Sequence, residues 1–236
     1  MTAPTPRSAV VTGANRADGI GLALVRELRA RGCAPVVGTY RDTATATPLL
    51  DAAAGDPDVL AAEVDVTSDA SAEAFGRWCA EHLDRVDLLV NNAGIGASEG
   101  SVLTAPIEDL EYQLQVHGLG MLRVTRALLP LMGSGAVAVS VSSSLASIAD
   151  MDAGSTYYAP AKAFQNALTK HLAGAVRRDG IIAFSASPGW VSTSMGGTAA
   201  PLTPEESARR LAELVLGAGP RDAGTFRTVD GDTLAW

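Results

Sequence analysis

Short apolar segments alternate along this chain with longer segments whose apolar residues recur at helical spacing. Several of the short segments are apolar throughout, which is the pattern of β-strands covered on both faces. Alternation of this kind predicts an α/β fold, in which a parallel sheet has helices on both faces. The sequence predicts six strands and a weaker seventh, at residues 9–12, 35–40, 59–65, 86–91, 136–141, 181–185 and 225–229.

The longer segments carry residues that favour helix ends. Ser68 and Ser155 are predicted to be N-caps, because a serine hydroxyl accepts a hydrogen bond from a free amide of the first turn. Gly32 and Gly180 stand where the end of a helix favours glycine. Residues 43–57, rich in Ala, Thr and Asp, are compatible with a short helix or with a loop. The predicted helices are 19–31, 68–84, 107–131, 155–179 and 204–216.

Length and composition indicate one globular domain. The chain has 236 residues, of which 47% are hydrophobic and 19% charged, and its net charge is −8. We expect a single domain over residues 1–236, because α/β domains commonly reach this size. An acidic chain is a poor match for nucleic acid or for an anionic membrane surface, so neither is predicted as a partner.

The sequence predicts neither a metal site nor a secreted protein. The two cysteines, Cys33 and Cys79, have no spacing typical of zinc ligands or of a disulfide framework. Residues 1–7 lack the charged and apolar regions of a signal peptide. No uninterrupted apolar run reaches the ~18 residues of a membrane-spanning helix. We therefore expect a cytoplasmic protein.

A glycine-rich turn follows the first predicted strand and precedes the first predicted helix. Glycines let a backbone turn sharply and approach a pyrophosphate, which binds amide groups at a helix N-terminus. Together with the strand pattern, this turn predicts a single doubly wound Rossmann-type domain that binds a dinucleotide. The alternative is an ordinary strand–helix connection. The candidate cofactor-binding residues of the turn are Gly13, Asn15, Arg16, Gly19, Ile20 and Gly21.

Two arginines bear on the choice of dinucleotide. Arg41 follows the tip of the second predicted strand, and Arg16 lies in the glycine turn. Guanidinium groups at these places suit a ribose 2′-phosphate and favour NADP(H). The alternative is that both are solvated surface residues. NAD(H) also stays open, because Asp42 would be the ribose-binding acid if the strand ended one residue later.

Tyr158 and Lys162 are one helical turn apart, so their side chains share one helix face. A phenol with a reference pKa of ~10 transfers protons poorly at neutral pH, but a nearby cation favours its phenolate form. Residues 142–144, all serine, follow the fifth predicted strand and supply hydroxyl groups. The combination predicts a general acid–base group with a neighbouring hydrogen-bond donor.

These motifs, in this order, resemble those of the short-chain dehydrogenase/reductase superfamily over essentially the whole chain. The shared elements are the glycine turn 12–21, Asp65-Val66, the segment 91–94 (Asn-Asn-Ala-Gly), the serines 142–144, the Tyr158/Lys162 pair and Pro188-Gly189. Segments near the C-terminus resemble the branch that contains the C-factor and sniffer-type carbonyl reductases. They are residues 190–197, 203–207 and 230–236.

The resemblance implies catalytic roles. Tyr158 would be the general acid in carbonyl reduction or the base in alcohol oxidation. Lys162 would lower the pKa of Tyr158 and hold the ribose hydroxyls of the nicotinamide nucleotide. Ser143 would bind the substrate oxygen, with Ser142 and Ser144 as alternatives.

The resemblance also implies the rest of the cofactor site and the assembly. Residues 190–204 would form a substrate loop, and relatives often pair through two long helices, which implies a homodimer or homotetramer. The adenine, channel and nicotinamide contacts would come from Asp65, Val66, Asn91, Ala93, Gly94, Pro188, Gly189, Val191 and Thr193.

Two features depart from the pattern of the superfamily. His117 replaces an asparagine that in relatives distorts its helix and helps to hold a water linked to the lysine. His117 is compatible with a substitute proton relay, with a tolerated core residue, or with lost or altered activity. The glycine turn also appears two residues longer, with Ala17 and Asp18 as the insertion. The insertion would either push Arg16 outward or place Asp18 near the pyrophosphate.

The sequence therefore predicts an NADP(H)-dependent oxidoreductase that acts on a small-molecule ketone, aldehyde or secondary alcohol. The alternative is a nucleotide-binding regulatory or signalling protein of the same fold with impaired catalysis. A related chemistry on the same scaffold, such as dehydration or epimerisation, is a third and weaker hypothesis, because a fold does not fix a reaction.

Overall fold

Seven strands form one sheet at the centre of the structure, a computed structural model that describes residues 8–236. The strands are β1 (Ala9–Val11), β2 (Val36–Tyr40), β3 (Val59–Glu63), β4 (Leu88–Asn91), β5 (Val137–Val141), β6 (Ile182–Ser187) and β7 (Phe226–Thr228). Their spatial order is β3-β2-β1-β4-β5-β6-β7, and all neighbours are parallel. The predicted α/β fold with a parallel seven-stranded sheet is confirmed.

The helices lie between the strands along the chain, as predicted. They are α1 (Ile20–Ala30), α2 (Thr47–Gly55), α3 (Asp69–His82), α4 (Ile107–Leu114), α5 (Gly120–Leu128), α6 (Tyr158–Val176) and α7 (Pro204–Leu216). The long helix predicted at 107–131 is interrupted, because a π-helical segment over Gln115–Leu119 separates α4 from α5. No helix among residues 8–236 is both long and apolar enough to span a bilayer.

Apolar side chains cover both faces of the sheet, as the apolar strands predict. One cluster packs α1, α2 and α7 onto the sheet and includes Leu24, Leu49 and Leu211. The other packs α3, α5 and α6 onto the opposite face and includes Phe75 and Val124. Full burial of one such side chain stabilises the fold by ~1.5–3 kcal/mol. The strands are thereby held from both sides, which fixes the positions of their carboxyl ends.

Most of the predicted helix ends are confirmed. Ser68 Oγ accepts a hydrogen bond from the backbone N–H of Ser71, 3.2 Å away, and caps α3. Gly32 and Gly180 have φ of +90° and +72° just beyond the ends of their helices. The ambiguous residues 43–57 contain a short 3₁₀ turn and then α2.

The N-cap predicted at Ser155 is wrong. The residue before α6 is Tyr157, with φ of +58°, and Ser155 itself has φ of +54°. Two left-handed residues in this short segment turn the chain sharply just before Tyr158. Pro160 then falls at the third residue of α6, where a backbone amide has no acceptor within the helix.

The order of the strands creates a crevice. The chain moves outward from β1 to β2 and β3, then returns to place β4 on the other side of β1. The turns that leave β1 and β4 therefore diverge to opposite faces at the carboxyl edge of the sheet. Ligands of open α/β sheets bind at such a switch point.

Candidate active site

A cleft of about 620 Å³ runs along the carboxyl edge of the sheet. Segments that follow β1 to β6 line it, so its walls come from widely separated parts of the chain. Most predicted site residues meet there. Those that line the cleft are Gly13, Asn15, Arg16, Gly19, Ile20, Gly21, Arg41, Asp65, Val66, Ala93, Gly94, His117, Tyr158, Lys162, Pro188 and Thr193.

Asn91, a predicted cofactor-binding residue, is not part of the cleft wall. Its side chain is buried, and its Nδ2 donates to Thr125 Oγ1 on α5, 3.1 Å away. Successive side chains of a strand point to opposite faces. The adjacent Asn92 therefore faces the glycine turn, where its Nδ2 donates to the carbonyl oxygens of Thr12 and Gly13.

Gly189 and Val191 also lie behind the wall of the cleft rather than in it. Gly189 turns the chain after β6 with φ of +81°. Val191 is buried and forms a β-bridge with Leu202. These residues shape the base of the segment 190–204, whereas Pro188 and Thr193 line the cleft. The cofactor contact expected of Gly189 and Val191 stays a prediction.

The glycine turn needs its first glycine for both conformation and space. Gly13 has φ of +67°, and a Cβ there would lie 2.8 Å from Ala93 Cα. The backbone N–H of Gly13 donates to Thr39 Oγ1, 3.2 Å away. Any other residue at position 13 would be strained and would separate the turns after β1 and β4.

Asp18, in the predicted insertion of the glycine turn, bridges two walls of the cleft. Its Oδ2 accepts a hydrogen bond from the backbone N–H of Ser194, 2.8 Å away, and its Oδ1 accepts one from Arg16 Nε at 3.2 Å. The bond from Ser194 is the main cause that holds the pKa of Asp18 below its ordinary value. Asp18 thus ties the glycine turn to the segment 190–204, and Arg16 lines the cleft.

Arg41, which follows β2, lies at one end of the cleft. Its Nη1 donates to the Tyr112 hydroxyl on α4, 2.7 Å away. Asp42, the candidate ribose-binding acid, instead accepts from the backbone N–H of Ala44 at 2.9 Å and caps the turn that follows β2. A guanidinium therefore stands at the tip of β2, while the neighbouring carboxylate is already hydrogen-bonded.

Tyr158, Lys162 and Ser143 come together at the opposite end. Lys162 Nζ lies 5.8 Å from the centroid of the Tyr158 ring and donates to the carbonyl oxygen of Val141 at 2.7 Å. It also donates to Gln165 Oε1 at 3.0 Å. Ser143 is outside the cleft wall, but its hydroxyl is hydrogen-bonded to the Tyr158 phenol. That contact favours Ser143 over its neighbours as the predicted partner of the tyrosine.

The pKa values of the pair differ from the expectation that the lysine lowers the pKa of the tyrosine. Burial raises the pKa of Tyr158 to about 12, and the hydrogen bond with Ser143 only partly offsets this. Burial lowers the pKa of Lys162 to about 7. Desolvation disfavours the charged form of each group and outweighs the attraction expected between them.

His117 lies in the π-helical segment, next to Tyr158. The two rings are nearly perpendicular, with centroids 5.5 Å apart. His117 Nε2 lies 3.2 Å from the carbonyl oxygen of Ile95 and 3.0 Å from Gln113 Oε1. Burial, followed by the charge of Lys162, lowers the pKa of His117 to about 2.

The helix distortion expected at position 117 is therefore present. A relay that depends on an imidazolium near neutral pH is not supported, because this ring stays neutral. π-Helical segments in α-helices are frequent at functional sites.

The cleft suits a phosphorylated dinucleotide. One end offers backbone amides of a glycine turn before the N-terminus of α1, which is a site for phosphate. The Arg41 guanidinium stands beside that turn at the tip of β2, where a ribose 2′-phosphate would lie. At the other end, Lys162 provides a hydrogen-bonding group near Tyr158, and Thr193 lines the same cleft. The residues present fit NADP(H).

Three site residues were not anticipated from the sequence. Gln113 contacts His117, Tyr112 contacts Arg41, and Ser194 contacts Asp18. The spacing of four residues between Gln113 and His117 on a predicted helix was a signal that could have revealed the first pair. Nothing in the sequence signals the other two, because 71 and 176 residues separate the partners.

A family model matches most of this chain. Residues 13–218, from the glycine turn to just beyond α7, match the family described as enoyl-(acyl carrier protein) reductase. Among curated proteins, the C-signal of Myxococcus xanthus is 32% identical over 154 residues, which cover 64% of this chain and 93% of that protein.

Two solved structures share the fold over nearly the whole chain. The carbonyl reductase Sniffer of D. melanogaster has a TM-score of 0.91 and 29% identity, covering 98% of this chain and 100% of that one. The NADPH-bound carbonyl reductase from chicken fatty liver has a TM-score of 0.92 and 30% identity, covering 99% and 100%. These similarities confirm the resemblance inferred from the motifs.

Proposed function

The chain belongs to the short-chain dehydrogenase/reductase family, and from that premise we propose that it is an NADP(H)-dependent oxidoreductase acting on a ketone, an aldehyde or the matching secondary alcohol. The observation that carries the proposal is that Tyr158 and Lys162 line one end of the cleft, with the Ser143 hydroxyl hydrogen-bonded to the phenol from just behind its wall. The other end presents Arg41. A proton donor and an anion-binding end in one cleft suit hydride transfer with a phosphorylated dinucleotide.

Tyr158 is proposed to give a proton to the carbonyl oxygen of the substrate, while bound NADPH supplies the hydride. A pKa of about 12 keeps this phenol protonated at neutral pH, which is the form that an acid needs. Ser143, hydrogen-bonded to the phenol, is placed to donate to the same carbonyl oxygen and so orient it. The protonated phenol is the form that acts in carbonyl reduction, and its phenolate would act as the base in alcohol oxidation.

Lys162 is proposed to hold ribose hydroxyls and to compensate negative charge that develops on Tyr158. Its ammonium group is buried and is fixed by Val141 and Gln165. A cation that is already oriented needs no reorganisation when charge develops nearby.

NADP(H) is the proposed cofactor because Arg41 is placed for a 2′-phosphate and Asp42 is engaged in capping. Arg16 lines the same cleft and provides a second cation. NAD(H) stays the alternative, since the glycine turn serves both dinucleotides. The NADPH-bound chicken carbonyl reductase supports the same choice.

The substrate is proposed to enter beside the segment 190–204. Residues 1–236 are proposed to form a single domain. Met195 lines the cleft and Trp190 lies in the same segment, and both side chains are more than half exposed. Apolar groups at the mouth suit a carbonyl compound with an apolar body.

We also propose a cytoplasmic homodimer or homotetramer, formed through α4, α5 and α6. Ile107 and Tyr112 on α4 are exposed apolar side chains of the kind that such a contact would cover. Sedimentation tests the assembly, and a strictly monomeric protein would contradict it.

A regulatory protein of impaired activity is the second candidate, because His117 stands where relatives have an asparagine. In that case the cleft would bind the dinucleotide without transferring hydride. Binding without turnover separates this candidate from the first.

The decisive experiment follows NADPH oxidation with a panel of small and bulky carbonyl compounds. Tyr158→Phe should lower kcat by ~10²–10⁴-fold, the size of a general acid–base contribution. NADPH affinity, followed by the fluorescence of the bound nucleotide, should stay near the wild-type value.

Tyr157→Phe is the matched control. In wild type the Tyr157 hydroxyl donates to the carbonyl oxygen of Ala105, 2.9 Å away. The variant therefore loses a phenol hydroxyl that takes no part in the proposed chemistry. Equal turnover in Tyr158→Phe and wild type would overturn the assignment of the acid. If wild type oxidised no NADPH with any of these compounds but His117→Asn did, the result would favour the regulatory protein.

A further inference from the structure

Trp236 lies where three parts of the fold meet. Its ring stacks on that of Phe226, a fully buried residue of β7, with the ring centroids 5.7 Å apart. Lys170 Nζ, on α6, lies 4.8 Å from the centroid of the Trp236 ring. The backbone oxygen of Trp236 accepts a hydrogen bond from the backbone N–H of Ala149, 3.2 Å away. One residue therefore joins β7, α6 and the segment that follows β5.

The backbone that leads to Trp236 is held on β7. The backbone N–H of Thr228 donates to the carbonyl oxygen of Asp232, and that of Leu234 donates to the carbonyl oxygen of Phe226, both at 2.8 Å. These bonds fold the chain back along the strand that it has just left. The tryptophan ring is thereby placed beside the ring of Phe226, so its position is tied to the sheet.

Residues 144–150 directly follow Ser143, and the alanine that donates to Trp236 lies among them. Ser147 and Asp150 close a turn around this alanine. The backbone N–H of Asp150 donates to the carbonyl oxygen of Ser147 at 3.3 Å, and Ser147 Oγ donates to Asp150 Oδ2 at 2.9 Å. The contact with Trp236 therefore acts on a turn with internal hydrogen bonds.

A 3₁₀ turn connects that contact to the Ser143 hydroxyl. The backbone N–H of Ala146 donates to the carbonyl oxygen of Ser143 at 2.9 Å, and the backbone N–H of Leu145 donates to Ser143 Oγ at 3.3 Å. Because Oγ accepts from the turn, the hydroxyl hydrogen is available for the Tyr158 phenol, to which Ser143 is hydrogen-bonded. The direction of this hydroxyl depends on where the turn lies.

The distance between the turn and α6 is what Trp236 can fix. Tyr158 begins α6, and Lys170 of the same helix holds the tryptophan ring by a cation–π contact. The hydrogen bond from the turn then holds residues 144–150 against the tryptophan. A second anchor lies at the start of these residues, where the backbone N–H of Ser144 donates to Ser187 Oγ at 3.0 Å.

We propose that Trp236 is a positioning residue, which holds residues 144–150 so that the Ser143 hydroxyl stays hydrogen-bonded to the phenol of Tyr158. Its ring provides the anchor on β7 and α6, and its backbone oxygen provides the contact with the turn. The placement of residues 144–150 belongs to the resting protein. Only the effect of Trp236 on turnover rests on the proposed function.

Hydrogen exchange followed by mass spectrometry tests the placement without any need for turnover. Trp236→Ala removes the ring that anchors the backbone oxygen, so amides of residues 144–150 should exchange ~3–10-fold faster, as for loss of one local contact. Trp236→Phe keeps an aromatic ring that can stack on Phe226, and its exchange should stay close to that of wild type. Equal exchange in Trp236→Ala and wild type would overturn the proposal.

Trp78→Ala is the matched control for loss of a stacked tryptophan. Trp78 also stacks on a buried phenylalanine, Phe75, but both residues lie on α3. This variant should leave the exchange of residues 144–150 as in wild type. If both alanine variants accelerated it equally, the cause would be a general loss of stability, and the specific role of Trp236 would be rejected.

A double-mutant cycle tests whether Trp236 acts through Ser143. With NADPH and a carbonyl compound that wild type reduces, Trp236→Ala should lower kcat ~3–10-fold with unchanged KM for NADPH. In a Ser143→Ala background the same change should have little further effect, because the hydroxyl that Trp236 positions is gone. An equal loss of kcat in both backgrounds would contradict the proposal.

The two measurements separate a failure of this inference from a failure of the proposed function. Faster exchange of residues 144–150 in Trp236→Ala, with no carbonyl compound reduced by wild type, would support the placement and count against the reductase. Turnover in wild type, with unchanged exchange in Trp236→Ala, would support the reductase and overturn the role of Trp236.

Discussion

The carboxylate of Asp18 accepts a hydrogen bond from the backbone N–H of Ser194, 2.8 Å away, although 176 residues separate them in the chain. Asp18 lies in the glycine turn, and Ser194 lies in the segment 190–204. The contact joins the glycine turn to the segment 190–204, the proposed substrate loop, on one side of the cleft. Residues 17 and 18, the predicted insertion of the turn, are therefore structurally coupled to the segment 190–204.

Removing that contact should loosen the segment 190–204. Asp18→Ala deletes the acceptor, and hydrogen exchange of the Ser194 amide should become roughly tenfold faster, as expected for loss of ~1.4 kcal/mol of local protection. Asp18→Asn keeps an oxygen acceptor and should exchange at an intermediate rate. Hydrogen exchange followed by mass spectrometry measures both.

Asp51→Asn is the control for the change of charge, since Asp51 is exposed on α2. It should leave the exchange of residues 190–204 as in wild type. Equal protection of Ser194 in Asp18→Ala and wild type would show that the segment is held by its other contacts alone.

Cofactor preference should depend on Arg41. Arg41→Ala is expected to raise KM for NADPH roughly tenfold while KM for NADH changes little, because a charge-assisted contact with a 2′-phosphate is lost. Steady-state kinetics with both nucleotides measures the ratio. Tyr112→Phe, which frees the guanidinium without removing it, should have a smaller effect of roughly threefold in the same direction.

Arg26→Ala serves as the control, since Arg26 is exposed on α1 and does not line the cleft. A parallel loss of affinity for NADPH and NADH in Arg41→Ala would mean that Arg41 binds something common to both nucleotides.

The stability of the nucleotide-free protein should rise with pH because of Lys162. The pKa of this lysine is about 7 in the native state. In the unfolded chain it returns to ~10.4. Between these values the unfolded chain binds a proton that the native protein does not, so the free energy of unfolding increases with pH. The cost of burying the charge is largest below pH about 7, where the lysine is charged in both states.

Lys162→Met should remove this dependence. Urea unfolding between pH ~7.5 and ~8.5 should show a slope lower than that of wild type by up to ~1.4 kcal/mol per pH unit. Lys170→Met, on the exposed face of the same helix, should keep the wild-type slope. A wild-type slope in Lys162→Met would mean that the buried lysine stays charged at neutral pH.

Neither cysteine should react in the native protein. Cys33 and Cys79 are fully buried, and burial raises the pKa of each, to about 12 for Cys79. Thiolate is the reactive form, so an aromatic disulfide reagent at pH ~8 should label neither thiol until the protein unfolds. Rapid labelling of the native protein would indicate local opening around α3 or the end of α1.

The parallel sheet could be predicted because its strands are apolar on both faces, a pattern that few other structures require. The sequence could not predict the face of the sheet to which an individual side chain points. Asn91 and Asn92 are both polar at the end of β4, and the sequence does not show which one points to the cleft. The pleat of β4 decides which side chain points to the cleft, and that side chain is Asn92.

The Tyr158/Lys162 pair was predictable because both residues occupy one helix face. Its pKa values were not, since they depend on how completely the surrounding chain excludes water. The sequence suggested that attraction between the two groups would dominate, whereas burial dominates in the structure. The false N-cap at Ser155 has a similar origin, because the sharp turn before α6 depends on contacts with distant residues such as Ala105.

The β-bridge between Val191 and Leu202 closes the segment between them at its base, apart from the two apolar clusters on the sheet. A change of length or sequence between these two residues therefore leaves the packing of both clusters in place. The proposed substrate loop is thus a separate unit of the backbone, so the sheet core and the residues around a substrate could change independently of each other.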